Sequence, residues 1–121
     1  MSPALLNFEK ALSIDPENQD ALRGKAQALV GMGENESALD SFIKLIRAGS
    51  TNSEDYIGAA DIYSSCGEVH DALDCLLKAL TIDKNNPVIC DRLANIYMSI
   101  GEEGEADRYS QLAKKLRKKK K

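Results

Sequence analysis

Catalysis near neutral pH most often recruits histidine or an activated thiol, and this sequence has one histidine and three cysteines. His70 stands beside Asp71 at the start of a predicted helix. It reads as an exposed residue on a solvated helix face, because no serine or cysteine has the local context of an activated nucleophile. Cys66, Cys75 and Cys90 lack CxxC spacing, and a single histidine does not complete a usual zinc ligand set. Cys90 falls in an apolar column and reads as a small buried residue. Cys66 precedes Gly67 in a turn and reads as more exposed. Gly31-Met32-Gly33 lies between helices rather than after a strand, so it carries no phosphate-loop signal. The expectation is therefore no catalytic residue, no metal, no cofactor and no enzyme.

Charge offers a different chemistry. Residues 114–121 hold seven basic residues in eight, Lys-Lys-Leu-Arg-Lys-Lys-Lys-Lys. The remainder has 9 basic against 19 acidic residues, so a body of −10 carries a basic tail and the net charge is −3. Such a tail could be a solvated end, a nuclear localisation patch, or a contact for nucleic acid phosphates, an acidic partner or a membrane surface. Its deletion is expected to leave helix content nearly unchanged. An odd number of cysteines without close pairing argues for a reducing compartment. The expected location is the cytoplasm, or the nucleus if the source is eukaryotic. No run approaches the roughly 20 apolar residues of a membrane span.

The elements that would position any site follow from a period of 34 residues. Ala4, Ala38, Ala72 and Ala106 share it, as do Gly33, Gly67 and Gly101, and Ala26, Ala60 and Ala94. Leu29, Tyr63 and Tyr97 form another column; Phe8, Phe42 and Leu76 form one that ends in Ser110. Each unit reads as two helices. Leu22, Ala26 and Leu29 mark one helix face, Gly33 ends it, and Ala38, Phe42 and Leu45 mark the next helix. Pro87 suits the first turn of its helix, where a missing N–H costs nothing. Small residues facing each other let two antiparallel helices approach, and the larger residue a turn away fills the groove.

This pattern resembles the tetratricopeptide repeat. The carriers are the 34-residue period, the small residues at Ala26, Ala60 and Ala94, the Leu or Tyr three later, and the boundary Ala-Leu-Ser-Ile-Asp-Pro-Glu-Asn at 11–18. The resemblance implies an all-α fold of seven helices in antiparallel pairs, stacked as a right-handed superhelical solenoid. Residues 1–113 form the repeat domain, with a half repeat at 2–18 and repeats at 19–52, 53–86 and 87–113; residues 114–121 are the tail. The half repeat leaves Leu5, Phe8 and Leu12 in want of a cover, which predicts self-association there.

The side of each first helix opposite its core face would line the concave groove of such a solenoid. The expected partner-binding residues are Arg23, Gln27, Ile57, Asp61, Val88, Asp91, Arg92, Asn95 and Met98. Ile57, Val88 and Met98 would be apolar anchors, and the carboxylates of Asp20, Glu54, Asp61 and Asp91 against Arg23 and Arg92 would make the groove lean acidic. A subgroup that grips peptide carboxylates with Lys, Asn and Arg is matched here only at Arg92. The expected function is a scaffold that binds a partner peptide or helix, with no small-molecule substrate. The alternative is a nucleic-acid-associated repeat protein acting through the basic tail. Tyr63-Ser64-Ser65-Cys66-Gly67 also resembles the turn of pentatricopeptide repeats, but those have 35-residue periods and an acidic body repels phosphate.

Overall fold

The computed structural model describes residues 3–119. Ser2 of the half repeat, and Lys120 and Lys121 of the basic tail, lie outside the described residues. Seven helices packed pairwise make up the described chain, an all-α fold. They fall into two compact units, one up to Thr51 and one from Asn52 onward.

The first unit holds α1 (Pro3–Ile14), α2 (Gln19–Gly31) and α3 (Asn35–Arg47), with α2 packed on both others. Its core has no large aromatic apart from Phe42; Leu22, Ala26, Leu29, Ala38 and Leu45 are all buried. Gly24 shows how closely α1 and α2 approach: a Cβ there would overlap the ring of Phe8. Leu5 is buried, and Phe8 and Leu12 are half-buried. The apolar patch expected from Leu5, Phe8 and Leu12 is thus largely covered, because α1 turns that face inward. Leu6 (48% exposed) and Ile14 (86%) are the large apolar residues of α1 that meet solvent.

The second unit holds α4 (Ser53–Ser65), α5 (Val69–Ile82), α6 (Pro87–Ser99) and α7 (Glu103–Lys119), each packed on the next. Leu76, Ala79, Ile89, Cys90 and Leu93 are almost wholly buried. The helix pairs of both units turn by one device. Gly33, Gly67 and Gly101 have φ near +80°, and each donates its N–H to the carbonyl three residues back while the next residue reaches five back. That double bond closes the helix end and needs a left-handed residue between.

Three asparagines at the same period start the first helices. Asn18 accepts from the Ala21 N–H, Asn52 from Glu54 and Asn86 from Val88. Each satisfies a donor that the first turn would otherwise leave open. The last helix runs on through the basic stretch: α7 continues to Lys119, with Leu116 buried and the cations at 114, 115 and 117–119 exposed. Leu116 falls on the inner stripe three and seven residues after Ala113 and Tyr109, which explains why the helix does not stop.

Candidate functional site

α6 carries most of the expected groove. The caps of Asn86 and Pro87 set its register, and its buried side is Ile89, Cys90, Leu93 and Ile96. Spacing of three and four residues then puts Val88, Asp91, Arg92, Asn95 and Met98 along the other side. Val88 is 41% exposed and Met98 57%. Between α6 and α4 lies a cleft of about 300 Å3. Asp91, Arg92 and Asn95 line it from α6, Asp61 and Ser64 from α4, with Leu76 of α5 among the apolar residues.

Two ion pairs hold the cleft in shape. Arg92 donates from Nε to Asp61 Oδ1 at 2.6 Å and from its second amino group to Oδ2 at 3.0 Å. This two-point grip ties α6 to α4. Arg117 of α7 likewise takes both oxygens of Asp91, one of them at 3.2 Å. Hydrogen bonding to the carboxylates raises both guanidinium pKa values above their ordinary value. Burial pushes the Cys90 thiol up, with Asp91 adding to the effect and Arg117 opposing it. Among the described residues, no three of His, Cys, Asp and Glu converge as a metal site. His70 and Cys66 are exposed.

The structure therefore brings Asp61, Asp91, Arg92 and Asn95 together, with Val88 and Met98 further along the same side of α6. Ile57 is a correction. It is only 5% exposed, and so is no open anchor for a ligand. α4 is buried over most of its circumference, through Tyr56, Ile57, Ala59, Ala60 and Ile62, so the side opposite one core face is not a free side. Arg23, with its side chain 18% exposed, bonds Asp20 at 3.2 Å, and Gln27 is exposed. Both belong to α2 in the first unit, and neither lines this cleft. Arg117 was missed, because a run of lysines hides it; its position one residue after Leu116 on an amphipathic helix was the available signal.

The repeat geometry has a match in sequence. Profiles described as tetratricopeptide repeat match residues 4–59 and residues 56–86, which together run through the first five helices. The chain belongs to the tetratricopeptide repeat family. Tetratricopeptide repeat domains are generally protein–protein interaction modules, and the family is one of scaffolds rather than enzymes. No curated protein matches the sequence. Solved structures of MamA share the fold. A crystal structure of MamA is 21% identical, with a TM-score of 0.87 over 93% of this chain and 66% of that one. MamA of MSR-1 is 18% identical, with a TM-score of 0.83 over 97% and 67%. MamA from Desulfovibrio magneticus RS-1, from residue 41 to its end, is 16% identical, with a TM-score of 0.85 over 95% and 65%. This tetratricopeptide repeat chain spans about two thirds of the length of those chains.

Proposed function

We propose that this protein is a docking module that holds a peptide or short helix of a partner protein in the cleft between α4 and α6. The observation that carries this reading is the cleft itself. Four of the expected contact residues meet there, and exposed Met98 continues their stripe. A surface methionine beside satisfied polar groups supplies the apolar anchor that peptide grooves use.

The ligand's charge is set by the ion pairs. Asp61 and Asp91 are each already held by a guanidinium, so this cleft is close to neutral rather than acidic. A segment with apolar anchors and few charges fits best, since a charged one has to exchange with an existing pair. The three cysteines are free thiols, which suits a reducing compartment such as the cytoplasm. No described helix is long and apolar enough to cross a membrane.

The test is a calorimetric titration of the partner recovered from the source cell. Met98→Glu is expected to weaken binding at least about tenfold, because an unpaired carboxylate resists burial. As Met98 is exposed, the melting temperature should barely move. Unchanged affinity would remove the cleft as the site. Ile57→Glu is unsuitable for this purpose, since a charge at that buried position would unfold the helix packing.

A further inference from the structure

The first unit carries a hollow of its own. Pro16 and Glu17 of the α1–α2 link, Leu22 of α2, and Lys44, Arg47 and Ala48 of α3 line about 320 Å3. Leu22, only 4% exposed, is its floor, and Pro16 and Ala48 continue the apolar lining. Both walls are fixed by hydrogen bonds. In the link, Asp15 Oδ1 accepts from the Glu17 N–H at 3.1 Å, and Asn18 caps α2. At the end of α3, Gly49 has a φ of 80°, and the N–H groups of Gly49 and Ser50 donate back to the carbonyls of Ile46 and Leu45. Lys44 and Arg47 stand three apart on α3 and so share a side of it. Both are exposed, and neither side chain has an ion pair or hydrogen bond among the described residues. Glu17 lines the same hollow, yet pairs with neither.

The repeat plan does not require Arg47. One repeat earlier and one later, its place is taken by Ser13 and Thr81. Each of those folds its hydroxyl back onto its own helix, Ser13 onto the Lys10 carbonyl at 2.6 Å and Thr81 onto the Lys78 carbonyl at 2.7 Å. Arg47 has no hydroxyl to tie back and instead adds a free guanidinium to the lining of the hollow. A cation in the last turn suits the helix dipole, but Lys44 already supplies one.

We propose that this hollow docks an acidic–apolar segment of a partner protein. A carboxylate side chain of the segment meets Lys44 and Arg47, and a large apolar side chain covers Leu22 between Pro16 and Ala48. The planar guanidinium is able to take both carboxylate oxygens. Glu17 decides between occupants. A nucleic acid or polyphosphate would set its own charge against that carboxylate and leave the apolar floor unused. A peptide has main-chain N–H groups for Glu17 to accept from, so it alone brings carboxylate, apolar side chain and donor in one piece. Because both walls are already fixed, docking orders little of this protein. The inference does not rest on the cleft between α4 and α6, which belongs to the other unit.

A heteronuclear NMR titration of the full chain tests this with the capped peptide acetyl-Ala-Glu-Ala-Leu-Ala-amide, whose Glu and Leu fall on one side of an extended chain. Amide shift changes are expected at residues 16–22 and 44–48, around the hollow. Exchanging the peptide's Leu for Ser should weaken binding at least about tenfold, through lost apolar burial. Arg47→Thr, which installs the residue type of the next repeat, should weaken it roughly tenfold, since a charge-assisted pair is lost. The melting temperature of that variant should barely move, as Arg47 is exposed. No shift change at about 10 mM peptide, enough to fill a site with a dissociation constant of about 1 mM, overturns the proposal. So do changes centred on Asp61 and Asn95 or spread along Lys114 to Lys119, and so does an affinity that Arg47→Thr leaves unchanged. Equal binding of the Leu-to-Ser peptide or of inorganic phosphate would mark a plain anion site and overturn it as well.

Discussion

Gly24 is the residue at which the smallest change should have the largest effect. Its missing side chain is the space that the Phe8 ring fills. Gly24→Ala should therefore destabilise by about 1–3 kcal/mol, the usual cost of overfilling a packed contact. In a Phe8→Ala background the overlap is gone, and the same substitution should stabilise by up to ~1 kcal/mol through helix propensity. Urea unfolding of the four proteins checks the pair, and additive effects would refute the contact. Cys75 gives a second test at this scale. Burial, with Asp71 and then Asp74 beside it, raises its thiol from 9.0 to about 11. The folded protein thus keeps a proton that the unfolded chain releases from pH 9 upward. Its contribution to stability is whole below pH 9 and falls as pH rises toward 11. Melting curves of the parent and Cys75→Ala should diverge over that interval. Exposed Cys66 should also react with a thiol reagent at pH 8 well before Cys75 does.

At the scale of elements, α7 separates packing from composition. Its C-terminal turns look like a solubilising tail, yet Leu116 is buried and Arg117 reaches Asp91 of α6. Removing residues 114–121 should cost about 1.5–3 kcal/mol from the burial of Leu116 alone. The loss should show as a lower urea midpoint and a fall in helix signal. A truncated chain with unchanged stability would mean that α7 ends functionally at Ala113. Ring stacking in the same helix pair, Tyr97 on Tyr109 at 5.6 Å with planes 1° apart, keeps the first half of α7 docked. The deletion should therefore fray the helix end and leave the pair assembled.

At the scale of the whole molecule, charge is arranged by pairing rather than by sum. The body outside 114–121 is strongly acidic, but the cleft between α4 and α6 is not, because α7 returns a guanidinium to it. Partner binding at the cleft should depend little on salt, since no net charge is neutralised there.

Much of the architecture was legible in the linear pattern. The 34-residue columns, the glycines at 33, 67 and 101 and the alanines facing each other dictate local geometry, and local geometry is read from neighbours in sequence. The asparagine caps at 18, 52 and 86 were equally readable, since a cap needs only its own first turn. What lay beyond the sequence is whatever depends on a side chain's far neighbours. Periodicity shows that Ile57 opposes one buried face; only packing decides that α4 is buried on that side too. A run of lysines and an arginine reads as solvated charge, whereas the fold brings Arg117 to Asp91, 26 positions away, and so sets the charge of the cleft. Helix pairing is a short-range consequence of residue type and spacing, while exposure and electrostatic balance are sums over the three-dimensional surroundings.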